Sequence, residues 1–426
     1  MAHPRLSRRQ ALAALGAGAA AVAGIGRPAL AQAAPRVLVI GGGFAGATAA
    51  RAIKQADPRL AVSLIEMSRT FTACPFSNLV IAGLRELPAQ QFGYDKISAS
   101  GIEVVFATAT AVDPQARSVT LDTGSRLAYD RLVVAPGIDL RWDGLPGYSE
   151  ASAEKMPHAW KAGAQTVLLR RQLEALEDGG LVVMSVPANP FRCPPGPYER
   201  ASLIANYLKT RKPKSKILIL DAKDSFSKQR LFQEAWKELY PDHLEWVALS
   251  KGGRVTSVDA GAQMFITEFS EHKAAVGNVI PPQRAGRLAE LAGVADQTGW
   301  CPIDPVTFES KRVSNVHVVG DASIAGSMPK SAFSANAQAK ACAAAVVRLL
   351  GGQTPTQPKL INTCYSLVAP GYGISVAGVY EPANGVLSDV PGSGGVSPSE
   401  APRSVRAQEA LFAEGWFNTI TGEIFG

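Results

Sequence analysis

The segment from Arg36 to Glu66 constrains the fold of this chain more than any other. It reads RVLVIGGGFAGATAARAIKQADPRLAVSLIE: an apolar run, a glycine cluster, a helical stretch and a second apolar run that ends on an acid. The four apolar residues before the glycines suit a buried strand. The pattern therefore predicts strand, turn, helix and strand in succession, the unit from which parallel α/β sheets are built.

The glycine cluster has the G-x-G-x-x-G spacing of a dinucleotide-binding turn. Gly41 permits the tight turn, Gly43 lets the backbone approach a pyrophosphate, and Gly46 lets the helix pack close to the sheet. The helix is predicted to begin at about Phe44, so the N–H groups of its first turn, which includes Phe44 and Ala45, face the phosphates. We therefore predict that these residues bind a cofactor.

A carboxylate closes the second strand of this unit. Glu66 stands twenty positions after Gly46, where an acid can accept hydrogen bonds from a ribose diol. The strand, the turn, the helix and the acid together make a strong prediction of a dinucleotide site. The motif alone does not distinguish FAD from NAD.

A second strand, much later in the chain, indicates FAD. Val316–Ala322 reads VHVVGDA, an apolar strand ending in Gly320-Asp321, and a small-residue helix is predicted over Ala332–Leu349. In FAD enzymes of this architecture, such an aspartate meets the ribityl hydroxyls and the helix N-terminus approaches the isoalloxazine. We therefore predict FAD, with Gly320 and Asp321 among the residues that bind it.

Short strands fill the region between the two signals. Leu132–Gly137 is an apolar strand ending in a small turn, and we expect Ala135 and Gly137 to border the cofactor. Thr123-Gly124 marks a turn. The segments predicted to form a small β-meander are residues 102–106, 109–113, 117–121 and 126–130.

Residues 147–284 predict a second α/β unit. Its elements are a strand at Leu181–Val186, a helix at Tyr198–Lys209, a strand at Ile217–Leu220 and a helix at Ser227–Leu239. The loop after the first of these strands carries prolines at 187, 190, 194, 195 and 197, which remove backbone donors and prevent a glycine turn. We therefore predict a Rossmann-like domain without NAD(P)H.

That proline-rich loop offers a thiol. Cys193 stands six positions before Glu199, which is predicted to begin a helix. A helix N-terminus lowers the pKa of a nearby thiol, and the thiolate is the reactive form, so Cys193 is predicted to be reactive. Glu199 either handles protons there or caps the helix, and the sequence leaves both open.

The first 33 residues predict an export signal. A twin arginine, Arg8-Arg9, precedes an Ala/Gly-rich apolar run over 11–25, and small-x-small cleavage candidates follow at 29–33. The run is too short and glycine-rich to span a bilayer. We predict a twin-arginine signal and a periplasmic mature chain without a transmembrane segment.

The basic balance of the chain does not indicate a nucleic-acid partner. The formal net charge is +7, but four of the 43 basic residues, Arg5, Arg8, Arg9 and Arg27, lie in the predicted signal, and the other 39 face 36 acidic residues. A net charge of +3 over so long a chain makes no basic surface for nucleic acid.

The C-terminal part, residues 351–426, predicts an α+β interface domain. Asn362–Val368 and Tyr372–Tyr380 suit two antiparallel strands, and Arg406–Phe417 suits a short helix. Its aromatic residues, among them Trp416, either cover the core or face the flavin or a partner. The fold class is therefore α/β, with two Rossmann-like domains, the first over 34–146 and 285–350 and the second over 147–284, plus this C-terminal domain.

Five cysteines in an exported chain invite a disulfide. The odd count leaves at least one unpaired, and spacing alone cannot choose the pair. Cys342 lies within a predicted helix, where a packed structural thiol is expected. Cys74 follows the strand that ends at Glu66, so we expect it near the cofactor.

The chain resembles the flavoprotein subunit of flavocytochrome c sulfide dehydrogenases, within the two-dinucleotide-domain disulfide reductase superfamily. The resemblance covers nearly all of residues 36–426. The motifs that carry it are GGGFAG (41–46), ACPFSN (73–78), RCPPGPYERAS (192–202), GWCPIDPVTFES (299–310), VVGDA (318–322) and NTCYS (362–366).

The resemblance implies the chemistry of the site. It implies a flavin linked by a thioether through Cys74, a redox disulfide between Cys193 and Cys364, and an acid, Glu199, near that pair. It also implies a c-type cytochrome partner. The sequence contains no C-x-x-C-H motif, so the haem is expected on another chain, and we predict no metal site in this one.

The implied activity is oxidation of sulfide to sulfane sulfur, with electrons passed through FAD to the cytochrome. Two alternatives remain open. One is a sulfide:quinone oxidoreductase, which differs in its electron acceptor. The other is an accessory flavoprotein whose cysteines act on a thiosulfate-oxidising partner protein. An NADH dehydrogenase of the same superfamily ranks lowest, because prolines replace the second glycine turn.

Overall fold

Alternating short strands and helices make up most of the chain. The computed structural model describes residues 34–426, and the predicted export signal, residues 1–33, lies outside them. The strands are β1 (Arg36–Ile40), β2 (Ala61–Glu66), β3 (Phe71–Thr72), β4 (Gln91–Phe92), β5 (Glu103–Phe106), β6 (Ala109–Asp113), β7 (Ser118–Leu121), β8 (Arg126–Ala128), β9 (Arg131–Val134), β10 (Ile138–Leu140), β11 (Leu181–Val186), β12 (Lys216–Asp221), β13 (Leu244–Val247), β14 (Val255–Asp259), β15 (Met264–Thr267), β16 (Glu271–Lys273), β17 (Val276–Val279), β18 (Gln283–Ala285), β19 (Cys301–Pro302), β20 (Val316–Val318), β21 (Ser323–Ile324), β22 (Leu360–Ala369), β23 (Tyr372–Ala383), β24 (Val386–Asp389) and β25 (Gly395–Val396).

The α-helices lie between these strands and at the C-terminal end. They are α1 (Phe44–Ala56), α2 (Ser77–Ile81), α3 (Asp95–Ala99), α4 (Ala164–Ala175), α5 (Gly196–Arg211), α6 (Gln229–Leu239), α7 (Leu288–Leu291), α8 (Ala332–Leu350) and α9 (Arg403–Phe425). Within residues 34–426, no helix has both the length and the apolar content needed to cross a membrane.

The first sheet is parallel and has β1 at its centre. Its order is β20-β9-β1-β2-β5, and all four pairings are parallel. The interior residues of β1 are buried, as expected for a strand covered on both faces. β20 follows the second α/β unit in the chain, so the chain returns to this sheet after building another one.

One sequence expectation for this region is wrong. The segment 102–106 was expected in a β-meander, but its strand β5 pairs with β2 in the first sheet, Leu64 opposite Val104. Only β6, β7 and β8 form the antiparallel meander. Partial alternation of apolar and polar residues does not distinguish an edge strand of a parallel sheet from a meander strand, because in both strands one face is less buried than the other.

The second sheet is also parallel, with the order β13-β12-β11-β17. β11 leads into the proline-rich loop and then into α5, in the same strand–turn–helix order as β1 and α1. The chain passes from the first sheet to the second through β10 and returns through β18. These two strands pair with each other in antiparallel orientation. The predicted α/β class with two such units is confirmed.

The C-terminal part is an antiparallel sheet covered by one long helix. β23 pairs with β22, β24 and β25, and α9 packs against β23. The predicted helix Arg406–Phe417 is too short, since α9 extends from Arg403 to Phe425. Its last two turns bury Ile420, Ile424 and Phe425, which lie beyond the end of the predicted helix.

Small residues bring the helices of the first unit together. α1 and α8 pack against each other, and both bury alanines, for example Ala47 and Ala49 in α1 and Ala339 in α8. Short side chains allow a close approach of two helices. The structure thereby places the N-terminus of α8 near the glycine turn. The domain boundaries stay predictions, since residues 35–426 form one compact unit.

Candidate active site

A cleft of about 1280 Å³ lies where the first sheet, the proline-rich loop, α8, β22 and α9 meet. It brings together most of the side chains singled out from the sequence. Those that line it are Gly43, Phe44, Ala45, Cys74, Ala135, Gly137, Cys193, Glu199, Gly320, Asp321 and Cys364. The cleft thus joins the predicted cofactor turn to the predicted redox cysteines, which are 150 to 320 positions away in the chain.

Two of the predicted glycines shape the turn from behind and do not line the cleft. Gly41 has a φ of +101°, and a Cβ there would clash with the Ala135 carbonyl oxygen. A Cβ at Gly46 would clash with the Gly41 carbonyl oxygen. The close approach of α1 to the turn therefore requires glycine at both positions, as a dinucleotide-binding turn does.

Glu66 also lies outside the cleft lining. Its carboxylate accepts hydrogen bonds from the Gly42 N–H at 2.6 Å and from the Ser68 N–H at 2.9 Å. It therefore holds the glycine turn to the end of β2. Contact with a ribose remains a prediction for this residue.

Asp321 is half-buried in the wall of the cleft, and its buried Oδ1 atom has no hydrogen-bond partner among the described residues. Burial raises the pKa of Asp321, while Arg192 and Lys330 act in the opposite direction. A buried acceptor without a partner is costly, and it indicates a ligand with hydroxyl groups. Together with the glycine turn, this carboxylate fits an FAD in the cleft.

The two predicted redox cysteines face the same cleft from different elements. Cys193 lies in the proline-rich loop in a left-handed conformation, φ +59°, and its N–H donates to the Lys330 carbonyl at 2.8 Å. Cys364 lies in β22. Both are half-buried free thiols. The other three cysteines are also free thiols: Cys74 is half-buried, and Cys301 and Cys342 are buried. A disulfide between them remains a prediction.

The expected low pKa of the Cys193 thiol is wrong. Burial raises the pKa of Cys193 well above its usual range, and the nearby Cys364 and Glu199 raise it further. Burial raises the pKa of Cys364 as well, with Lys228 opposing the shift.

Cys74 lies between β3 and α2, where it lines the cleft. Its Sγ lies 3.8 Å from the Trp160 carbonyl oxygen. The left-handed Phe76, φ +67°, turns the chain into α2 just beyond it. The loop therefore brings this thiol to the cofactor side of the cleft, as the sequence predicted.

Glu199 does not cap its own helix. Its Oε1 accepts from the Leu367 N–H at 2.8 Å, and its Oε2 accepts from Asn78 Nδ2 at 2.8 Å. The capping alternative is therefore wrong. Burial raises the pKa of Glu199, although both hydrogen bonds act to lower it. Proton handling stays a prediction for this residue.

Sequence reasoning missed Arg200, the residue after Glu199. It is only 2% exposed and lines the cleft. Burial lowers the pKa of Arg200 to about 9. Its N–H groups donate to Asn78 Oδ1 at 3.0 Å, the His158 carbonyl at 2.9 Å, the Ala159 carbonyl at 2.5 Å and Asn278 Oδ1 at 3.1 Å.

Lys228 is a second buried cation that the sequence did not indicate. It precedes α6 in a left-handed conformation, φ +63°, and is 8% exposed. Its Nζ donates to the Cys364 carbonyl at 2.8 Å and to Ser366 Oγ at 2.8 Å. No spacing or motif could have placed it there, because α6 and β22 are far apart in the chain. Arg200, in contrast, stands within the motif RCPPGPYERAS, where its position could have drawn attention.

Aromatic residues of α9 close one side of the cleft. Trp416 lines it and stacks with Phe333, with ring centroids 6.2 Å apart. Phe417 is buried and packs against Phe76 at 4.9 Å. Phe417 therefore covers the core, while Trp416 faces the cleft. Contact of Trp416 with the flavin or a partner stays a prediction.

Comparison with known proteins agrees with this arrangement. Family models match residues 35–173 (pyridine nucleotide-disulphide oxidoreductase), residues 166–281 (sulfide dehydrogenase [flavocytochrome c] flavoprotein chain, central) and residues 356–425 (flavocytochrome c sulphide dehydrogenase, flavin-binding). The chain is 49% identical over 45 residues to a sulfide dehydrogenase [flavocytochrome c] flavoprotein chain of Chlorobaculum thiosulfatiphilum, over 11% of this chain and 94% of that sequence.

Sulfide:quinone oxidoreductases are also similar. The mitochondrial protein of Mus musculus is 24% identical over 307 residues, which are 67% of this chain and 65% of that protein, slightly under two thirds of its length. The crystal structure of the Aquifex aeolicus sulfide:quinone oxidoreductase has a TM-score of 0.74 at 19% identity and covers 92% of each chain. At that identity the likeness concerns the fold.

Fold and site together define a flavoprotein of the two-dinucleotide-domain disulfide oxidoreductase class. The matched family models cover residues 35–281 and 356–425, which leaves β20 and α8 of the first unit unmatched. Within that class, the chain is a homologue of flavocytochrome c sulfide dehydrogenase flavoprotein chains, whose family models match residues 166–281 and 356–425.

Proposed function

We propose that this chain is the flavoprotein of a periplasmic sulfide dehydrogenase, which oxidises sulfide to sulfane sulfur and passes electrons to a c-type cytochrome. The observation that carries the proposal is the shared cleft. Cys193 and Cys364 line the same cavity as the cofactor turn at Gly43 and the unpartnered Asp321. A thiol pair beside a flavin site is suited to moving two electrons from sulfur to the cofactor.

The residues present suit FAD. The turn at Gly41–Gly46 and the N-terminus of α1 would hold the pyrophosphate, and Asp321 would accept from a ribityl hydroxyl. We propose that Cys74, on the same side of the cleft, forms a thioether to the flavin. When bound, FAD supplies the two-electron acceptor that returns the reduced cysteine pair to its disulfide.

We propose that the cysteines do the sulfur chemistry. Hydrosulfide bonds to one sulfur of a Cys193–Cys364 disulfide, the disulfide bond breaks, and the other sulfur leaves as a thiolate. A second hydrosulfide takes the outer sulfur of the resulting persulfide, which releases a disulfane and leaves a second thiolate. Two hydrosulfide ions thereby give one disulfane and two electrons, which the reduced cysteine pair carries.

Glu199 would manage the protons of these steps. Its pKa is raised by burial, so its carboxyl group can hold a proton at a higher pH than an exposed glutamate. The hydrogen bonds from Leu367 and Asn78 fix its orientation beside the cysteine cleft. It could then protonate a departing thiolate or accept a proton from a thiol.

The partner and the compartment belong to the same proposal. The names of the matching family models include flavocytochrome c, which supports a cytochrome partner. The twin arginine at Arg8-Arg9 supports export of a folded, cofactor-loaded chain. Fractionation of cells that produce the full chain, with and without an Arg8→Lys/Arg9→Lys double substitution, tests the route. The substituted chain should remain in the cytoplasm.

Replacement of the redox cysteines tests the activity. Anaerobic sulfide should bleach the flavin of the wild type but not that of Cys193→Ser or Cys364→Ser, with flavin content unchanged. Cys342→Ala is the matched control, because that thiol is fully buried in α8 and should not affect bleaching. Bleaching in both serine variants at the wild-type rate would refute the disulfide mechanism.

The thioether has a test of its own. After acid precipitation, yellow flavin should remain with the polypeptide, and Cys74→Ser should release it into the supernatant. Free flavin from the wild type would show that binding is non-covalent. That result would leave the sulfide chemistry at Cys193 and Cys364 untouched.

A sulfide:quinone oxidoreductase is the second candidate, favoured by the similarity to proteins of that name. The two differ in acceptor. The proposed function requires sulfide-dependent reduction of a c-type cytochrome that is faster than reduction of a soluble quinone analogue, and no flotation of the protein with liposomes. The reverse pattern would assign the quinone reaction.

A further inference from the structure

Two cations lie deeper in the protein than the cysteine pair. Arg200 is 2% exposed and Lys228 is 8% exposed, whereas Cys193 and Cys364 are half-buried and border the cleft. Arg200 belongs to α5 and Lys228 precedes α6. The mechanism described above uses neither of them. Their charge therefore needs an explanation of its own.

Neither cation has an acidic partner. The four acceptors of Arg200 are neutral carbonyl and amide oxygens, and those of Lys228 are a carbonyl and a hydroxyl. Within residues 34–426, neither residue forms an ion pair within 4.0 Å, although fifteen other pairs do. Removing a charge from water without an ionic partner is costly, so buried charges are normally paired.

Each of the two cations is associated with a different cysteine of the pair. Lys228 is bonded to the backbone of Cys364 itself. Arg200 lines the same cleft as Cys74 and Cys193, and both thiols favour its charged form. The pair is therefore approached by one cation from the α5 side and by another from the β22 side.

The remaining charges near the pair do not cancel these two. Glu199 is the one carboxylate that acts on both thiols and on both cations. Arg192, a half-buried third cation, donates to the Trp160 carbonyl oxygen and also acts on Cys193. With Glu199 ionised, three cations face this anion beside the cysteine pair. Glu409 also acts on Lys228, and β22 contributes Tyr365 as an ionisable group besides Cys364.

We propose that Arg200 and Lys228 form a dicationic frame that makes the cysteine cleft selective for anionic sulfur nucleophiles, hydrosulfide over neutral hydrogen sulfide. The frame also stabilises the thiolate that is left when the disulfide opens. Arg200 and Lys228 are positioning residues, because they act through charge and do not touch the sulfur that reacts. The choice of hydrosulfide as the substrate rests on the proposed function, whereas the experiment below does not depend on it.

The frame accounts for one property of the thiols. Burial raises the pKa of both cysteines, and Lys228 opposes that shift at each of them. Without the frame, the thiolates would be less stable still. Lys228 therefore offsets part of the desolvation that the cleft imposes on both thiols.

Alkylation measures the frame without sulfide or an electron acceptor. The flavin-loaded, reduced protein is treated with iodoacetate, an anion, or with iodoacetamide, its neutral analogue. Peptide mass spectrometry then gives the rate at Cys193 and at Cys364 separately, across a series of pH values. The frame predicts a higher ratio of iodoacetate to iodoacetamide rates than the same thiols show in the unfolded chain.

Three variants and a control resolve the source of the preference. Lys228→Met and Arg200→Gln should each lower the ratio about tenfold, which corresponds to one charge near a partly buried thiol. They should also move the pH profile of alkylation to higher pH. Arg200→Lys should retain the ratio because it keeps the charge. Lys216→Met, at an exposed lysine, should change neither.

An unchanged ratio and pH profile in Lys228→Met, with flavin bound, overturns the proposal. So does a wild-type protein in which neither cysteine reacts. If Arg200→Gln does not fold, Lys228→Met and Arg200→Lys still test the proposal. A normal charge preference in a protein that sulfide fails to bleach refutes the proposed function alone, whereas sulfide bleaching without the preference refutes the frame alone.

Discussion

The two α/β units start alike and diverge at one turn. In the first, β1 passes through glycines directly into α1, and the backbone there is free to approach a phosphate. In the second, β11 passes through a proline-rich loop into α5, and the loop presents Cys193 in a left-handed conformation. The same strand–turn–helix order therefore forms a dinucleotide-binding turn in one unit and places a thiol in the cleft in the other.

The acids that end the second strands show the same contrast. Glu66 ends β2 and is half-buried. Within residues 34–426, its carboxylate accepts hydrogen bonds only from the backbone N–H groups of Gly42 and Ser68. Asp221 ends β12 and is fully buried, with its carboxylate occupied by Tyr198 Oη at 2.6 Å, Lys223 Nζ at 2.6 Å and Trp246 Nε1 at 3.0 Å. The ribose position of the second unit is thus filled by the protein itself.

The largest effect is expected at the glycine turn. Gly46→Ala places a Cβ against the Gly41 carbonyl oxygen, so we expect loss of flavin and about 3 kcal/mol or more of destabilisation. The flavin content of the purified protein measures the loss of flavin, and urea unfolding measures the destabilisation. Gly415→Ala, within α9 and with open space around it, should stabilise the chain by roughly 0.5–1 kcal/mol. Wild-type flavin content in Gly46→Ala would remove the basis of the comparison.

Asp321→Ala tests the cofactor side without disturbing the turn. In a Cys74→Ser background, we expect flavin affinity to fall about tenfold or more, because a charged acceptor for a ribityl hydroxyl is lost. The free energy of unfolding of the apoprotein should stay equal or rise, because an unpartnered buried oxygen is removed. Asp143→Ala, at an exposed aspartate, is the control. A destabilised apoprotein with normal flavin affinity would make Asp321 a structural residue.

Tyr198→Phe tests whether the second unit is built over its ribose position. The loss of the hydrogen bond to Asp221 should cost about 1–3 kcal/mol in the free energy of unfolding. NADH should still fail to reduce the flavin, because the prolines of the loop remain. Tyr207→Phe, at a half-buried tyrosine in the same helix, should cost less. Flavin reduction by NADH in the wild type would contradict the contrast drawn between the two units.

The smallest effect concerns pH and Glu199→Gln. Because burial raises the pKa of Glu199 from its usual 4.5, the folded state binds this proton more tightly than the unfolded state does. The contribution of Glu199 to stability is therefore highest at low pH and falls as pH rises above about 4.5. The difference in melting temperature, Glu199→Gln minus wild type, should increase with pH over that window. A constant difference would mean that the carboxyl group is not shifted.

Local pattern predicted the elements well where one segment carries its own signal. The strand and helix of Arg36–Ala56 follow from a run of apolar residues and from glycines within a few positions. The strand β5 was misassigned because its partner, β2, lies about 40 positions away. The predicted helix Arg406–Phe417 ends too early, because Ile420 and Ile424 pack against a core that their own stretch of sequence does not reveal.

The sequence by itself determined the class of the protein and the cofactor turn, because glycine spacing and strand-end acids act over short distances where the chain dictates its own geometry. Only the tertiary structure decided the environment of the cysteines. The raised thiol pKa values come from desolvation, and the hydrogen bonds of Asp221 and the burial of Arg200 and Lys228 come from the same packing of distant segments. Desolvation depends on which distant segments pack around a group, and no local pattern records that.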